Sequence, residues 1–185
     1  MFGVIAIFDE KTEQNIKNLW EGLHDEKITS YAYEVENRQP HLTLASYEDL
    51  NKERFMELMD TYYENKPAIP LSFQLLGTFI NSGTLFLSPV VTEELMNLHL
   101  QHHQFFNLDG KEDSLYSPGK WIPHCTIANR LTQLKLLEAF NYCSSHSKIL
   151  SGIIKEIALI ELQYDHGKCV GAPVVFSKKL LMEVL

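Results

Sequence analysis

Cysteine is scarce in this chain. The 3 cysteines among 185 residues, Cys125, Cys143 and Cys169, are odd in number and widely spaced. That fits neither a disulfide framework nor a paired-cysteine zinc site, so reduced thiols are expected. No export signal is expected either: the apolar start MFGVIAIF has no basic segment before it and no small-residue cleavage site after it, and reads as a first β-strand. No run approaches the roughly 18 apolar residues of a membrane span; the nearest, Leu85 to Val91, is broken by Ser88 and Pro89. Positive charge is also in short supply. With 16 Lys and Arg against 24 Asp and Glu, the formal charge is -8, which excludes a protein that coats long nucleic acid through clustered cations. Short substrates or chain ends remain. A soluble, cytoplasmic monomer with no membrane partner is expected.

What is present is an ordinary globular composition, 45% hydrophobic and 22% charged, in a length that suits one domain or two small lobes sharing an interface. Apolar periodicity gives mixed α and β structure. β-branched and aromatic content between turn residues predicts strands at Gly3 to Phe8, Tyr31 to Glu36, His41 to Ala45, Leu71 to Phe79 and Thr84 to Pro89. Three more are predicted at Pro123 to Ala128, Ile153 to Tyr164 and Pro173 to Leu181. Helical spacing covers Lys11 to Leu23, Lys52 to Tyr63, Thr92 to Phe106 and Thr132 to Cys143, with Thr12, Asn51, Thr92 and Thr132 as caps. Asn81-Ser82-Gly83 between apolar runs predicts a hairpin and antiparallel pairing. The order of elements in the first half recurs in the second.

The repeat is visible in the residues themselves. Pro40-His41-Leu42-Thr43-Leu44-Ala45 and Pro123-His124-Cys125-Thr126-Ile127-Ala128 agree at Pro, His, Thr and Ala. In a strand, residues two apart share a face about 6.6 Å from one another. His41 and Thr43 therefore project together, as do His124 and Thr126, while the residues between turn to the core. Two such strands about an approximate two-fold axis would set two imidazoles and two hydroxyls around one phosphate. A neutral imidazole can then take a proton from the attacking oxygen while a protonated one supplies the leaving oxygen, each step contributing on the order of 10² to 10⁴ in rate. The imidazole pKa lets both states coexist near neutrality without a metal. The threonine hydroxyls would steady the non-bridging oxygens. A single His-x-Thr is more often a hydrogen-bonded core-edge histidine; a matched pair with shared flanks points to a site.

At these two motifs the sequence resembles the two-histidine phosphoesterase superfamily, which includes bacterial 2'-5' RNA ligases and cyclic nucleotide phosphodiesterases. Leu75-Leu76-Gly77-Thr78-Phe79 and the following Thr84-Leu85-Phe86-Leu87 look like the family's Gly-x-Phe segment and next strand. The resemblance implies a single bilobal α+β domain over residues 1–185, with two antiparallel sheets backed by helices about a pseudo-two-fold axis and a central cleft. It implies action on 2',3'-cyclic phosphates or 2'-5' phosphodiesters of nucleotides or short RNA ends, with no cofactor and no bound metal. His41 and His124 would be the catalytic pair, Thr43 and Thr126 the phosphate binders. One departure stands out: the RNA ligase branch places Arg directly after the second motif's Ala, whereas here Asn129 intervenes and strand alternation is expected to bring Arg130 to the phosphate face.

Around this centre, the loop Tyr116 to Trp121 carries an aromatic and basic set, Tyr116, Lys120 and Trp121, suited to stacking a base at the cleft rim, although Trp121 is equally suited to packing on the sheet. Tyr164 and Lys168 are similar candidates. His99, His102 and His103 have a helical spacing that could offer a metal two imidazoles, but an exposed polar helix face is the expectation. Gly110 to Asp113 reads as a solvated loop, and Cys125 as a core residue turned away from the site. An enzyme cleaving a cyclic phosphodiester is the leading reading. The alternatives are a binding module that keeps the cleft with little turnover, and, last, a metallohydrolase.

Overall fold

A computed structural model describes residues 1–106 and 114–182; the expected loop at 110–113 lies outside them. The described elements run β1 (Phe2–Phe8), α1 (Glu10–Asp25), a 3-10 turn (Tyr31–Tyr33), β2 (His41–Tyr47), α2 (Lys52–Tyr63), β3 (Ile69–Thr78), β4 (Leu85–Pro89) and α3 (Glu93–Phe106). They continue with β5 (Cys125–Ala128), α4 (Gln133–His146), β6 (Leu150–Glu161), β7 (Gln163–Asp165), β8 (Lys168–Gly171) and β9 (Val174–Lys179). No described helix is long and apolar enough to cross a membrane.

The helices fall where the apolar stripes put them. α1 buries Ile16, Leu19, Trp20 and Leu23 on one face, and α2 buries Phe55, Met59 and Tyr63. Asn51, Thr92 and Thr132 cap as expected, each accepting from a backbone N–H three residues on. Thr12 does not. Asp9 caps α1, accepting from Thr12 N at 3.0 Å and from Thr12 Oγ1 at 2.9 Å, and its carboxylate also takes the N–H of Ile153 at 2.8 Å. Burial pushes this carboxyl up, but the bonds from Ile153 and Thr12 outweigh it and hold the pKa down. One carboxylate thereby ties the start of α1 to β6.

The strands build one antiparallel sheet in the order β2-β1-β6-β3-β4-β5, with β9 also paired to β6. The expected mixed architecture, antiparallel strands backed by helices, is present, and β6 joins its halves. Leu150 to Ile154 pairs with β3, while the remainder pairs with β1 on one side and β9 on the other. The motif strands β2 and β5 are thus the two ends of the order. The sheet curls until these ends touch. β1, in its middle, is buried on both faces: Val4, Ala6 and Phe8 join the main core under the helices, while Ile5 and Ile7 meet Ala158 and Ile160 on the other face.

Two strand expectations need correction, and one turn holds. Tyr31 to Glu36 is a 3-10 turn and loop, because its buried residues are Tyr31 and Val35, four apart as in a helix, and Asn37 follows at φ 54. The strand expected over Ile153 to Tyr164 stops at Glu161. A small hairpin, β7 and β8, takes over, turning at His166 (φ 46) and Gly167 (φ 76). The Asn81-Ser82-Gly83 hairpin is present as expected, pairing β3 with β4.

Candidate active site

Both motifs deviate from regular pairing at the same place. Along β1, Ile5 faces Thr43 and Val4 faces Ala45, so Leu44 is skipped; along β4, Phe86 faces Thr126 and Leu85 faces Ala128, so Ile127 is skipped. A bulge after each Thr lets two consecutive residues turn inward. The burial sequence is accordingly identical in the two copies: Pro buried, His partly buried, next residue buried, Thr partly buried, last two buried. The shared Ala is the second inward residue of each bulge.

Each histidine is oriented by the chain just before it. His41 Nδ1 lies 2.7 Å from the carbonyl of Gln39, and His124 Nδ1 lies 2.7 Å from that of Ile122. A carbonyl only accepts, so Nδ1–H donates in both rings, and the neutral imidazole keeps its lone pair on Nε2. The intervening proline, in both copies, fixes φ and holds that carbonyl in place. Burial pushes His41 below the ordinary 6.5; the Gln39 bond opposes it, and Arg38 and His124 add to the fall through their charge. His124 is lowered by burial against the bond to Ile122.

Both imidazoles and both threonines line one cavity of about 900 Å³. Two tyrosines reach them crosswise. Burial raises the hydroxyl of Tyr31, opposed by Arg38 and by the side chain of Thr126; burial raises that of Tyr116, opposed by the side chain of Thr43. The segment before each motif thus sends a tyrosine to the threonine of the other.

Behind the strands the two halves differ. His124 is packed edge-on by Phe79, with ring centroids 4.8 Å apart, and tilted against Phe86 at 5.4 Å. The Gly-x-Phe segment now has a physical reason: a Cβ on Gly77 would come within 2.8 Å of the Phe86 ring, so glycine leaves room for the ring that seats His124. β2 is backed by α3 instead. His99 and His102 are 1% and 0% exposed, which corrects the expectation of a solvated polar face. His103 Nε2 meets the Leu44 carbonyl at 3.0 Å, His99 Nε2 meets that of Tyr116 at 2.7 Å, and His102 sits between the hydroxyls of Tyr47 and Tyr63. Burial drives His99 down to about 4 and His102 well below 6.5. Among the described residues no group of three His, Cys, Asp or Glu could hold a metal ion.

The outer candidates divide. Tyr116 and Tyr164 line the cavity, and Tyr164 is exposed on the β7–β8 hairpin. Trp121 is not on the rim: it is buried, stacks on His99 at 4.0 Å and donates from Nε1 to the Thr43 carbonyl at 2.9 Å. Lys120 and Lys168 are exposed and do not line the cavity. Arg130 also lines the cavity, although not by strand alternation, because β5 ends at Ala128 and Arg130 turns to φ 58; its guanidinium pairs with Glu34 at 2.5 Å. Cys125 is 0% exposed with its thiol pushed by burial up to about 12, a core residue. Arg38 and Tyr31, not anticipated from sequence, belong to the cavity. A cation two residues before the first motif's proline was the available signal for Arg38; Tyr31 fell in a segment expected to be a strand.

Comparison with known proteins agrees with this architecture. TT0787 of Thermus thermophilus superposes with a TM-score of 0.67 at 17% identity, over 98% of each chain. E. coli LigT in its apo form gives 0.64 at 16%, over 97% of this chain and 96% of the other, and LigT complexed with 3'-AMP gives 0.63 at 14% over the same shares. No curated protein sequence matches. The family model described as the 2'-5' RNA ligase superfamily matches residues 9–166, and with most of its length so matched the chain belongs to that superfamily.

Proposed function

We propose that the chain is a metal-independent phosphoesterase that opens 2',3'-cyclic phosphates, or cleaves 2'-5' phosphodiesters, at the ends of nucleotides or short RNAs. The observation that carries this reading is the matched pair of imidazoles, each fixed through Nδ1–H so that Nε2 is available to the shared cavity. One neutral histidine takes a proton from water as its oxygen attacks phosphorus. The bond from phosphorus to the 2' or 3' oxygen breaks, and the other histidine, protonated, delivers its proton to that oxygen. Thr43 and Thr126 donate to the non-bridging oxygens as charge grows there. The apolar residues Ile5, Ile160 and Leu162, with Tyr164 beside them, suit a nucleoside. The 3'-AMP complex of LigT supports a nucleotide ligand.

Turnover of 2',3'-cyclic nucleotides and of 2'-5' dinucleotides, followed by phosphorus NMR with EDTA present, tests the proposal. Product formation that vanishes in His41→Ala and in His124→Ala supports it; activity lost to EDTA alone would overturn it. A phosphate-binding module with little turnover is the second reading. It draws on both imidazoles lying below 6.5, which leaves few molecules with one ring protonated at neutral pH. A ligand-induced rise in Tm without product would favour it.

A further inference from the structure

Two arginines line the cavity, and they stand in different circumstances. Arg130 is committed to Glu34 at 2.5 Å. Arg38 has no carboxylate among the described residues within ion-pair distance, and its Nε is buried without a hydrogen-bond partner. Its guanidinium carbon lies 3.9 Å from the centre of the Tyr31 ring, so the stem is anchored and the head is held over an aromatic face. Tyr31 faces Thr126, and Arg38 is close enough to His41 for its charge to be felt there. A half-buried guanidinium with an unmet donor, between one motif's histidine and the other's threonine, lacks an anion.

We infer that Arg38 supplies the fixed positive charge that grips the non-bridging oxygens of the bound phosphate, the place that the sequence pattern would give to Arg130. The inference rests on the phosphoesterase reading only for the identity of the anion. Its planar donors suit two oxygens at once, where a lysine would offer a point charge.

Calorimetric titration with inorganic phosphate, alongside turnover of 2',3'-cyclic AMP, separates the two claims. Arg38→Gln is expected to weaken phosphate binding about tenfold to a hundredfold with an unchanged thermal melt. Arg38→Lys should recover part of the loss, and Arg130→Gln should cost less than Arg38→Gln. The limb of the pH profile set by His41 should move upward in Arg38→Gln, since a neighbouring cation is gone. Phosphate binding by Arg38→Gln equal to wild type, or a larger loss in Arg130→Gln, would overturn the assignment. Arg38-dependent phosphate binding in a wild type that turns over no cyclic nucleotide would uphold Arg38 and reject the enzyme reading.

Discussion

β2 and β5 carry the same lettering, the same bulge and the same burial order, yet different chemistry holds them. Behind β5 are hydrocarbon rings, Phe79 and Phe86, which touch the His124 imidazole itself. Behind β2 are the polar rings of His103 and Trp121, which bond to the carbonyls of Leu44 and Thr43. One half steadies its motif histidine by packing, the other by fixing the backbone beneath it. The repeated residues define what each half presents to the cleft, and the support behind them differs.

The widest test of that equivalence removes each imidazole: His41→Ala and His124→Ala should each lower kcat by on the order of 10² to 10⁴. Similar losses keep the halves equivalent; a disparity of about tenfold or more, roughly 1.4 kcal/mol in barrier, would show one proton transfer to dominate. Next is Gly77→Ala, which forces the Phe86 ring away. We expect a loss of about 1–3 kcal/mol from overpacking and a fall in kcat that persists across the pH range. Denaturant melts and steady-state kinetics would show both, and an unaffected kcat would mean that the aromatic seat does not position His124.

Acid should find the β2 side first. Buried His99 and His102 stay neutral in the fold but take a proton when unfolded, so their contribution is complete above about 6.5 and is lost as pH falls below it, for His99 down to about 4. Each such group costs up to about 1.4 kcal/mol per pH unit in that window. Thermal melts between these limits should record the loss, and His99→Gln should shrink it. Smaller still is Trp121→Phe, which deletes the bond to the Thr43 carbonyl and should cost about 0.5–1.5 kcal/mol with a few-fold loss of kcat. Stability unchanged in that variant would make the stacking on His99, not the hydrogen bond, the useful contact.

The site was legible where chemistry repeats and obscure where it does not. Pro-His-x-Thr-x-Ala occurs twice, so His41, Thr43, His124 and Thr126 could be singled out; alternation set all four on strands, whereas β5 begins only at Cys125, just after His124. Arg130 reaches the cavity as expected, but by the turn after β5 and not by alternation, because nothing local announces that β5 ends at Ala128. The helices were clear from their stripes, down to Asn51 and Thr132 as caps. Tyr31 to Glu36 looked like a strand because tyrosine and valine favour strands, yet in the fold it pairs with no neighbouring edge. The α3 histidines read as a solvated face because histidine is usually polar surface; only the tertiary contacts with Tyr47, Tyr63, Leu44 and Tyr116 supply the partners that let them be buried.

The placement of both motif strands at the ends of the sheet order bears on how the protein avoids sticking to itself. An unpaired rim of N–H and C=O groups is a template on which a second chain can add a strand. Here each rim is kinked by its bulge, and on β2 two of its carbonyls are already taken by ring donors. The residues that shape the cleft therefore also hinder intermolecular strand addition at β2 and β5, the two ends of the described sheet order.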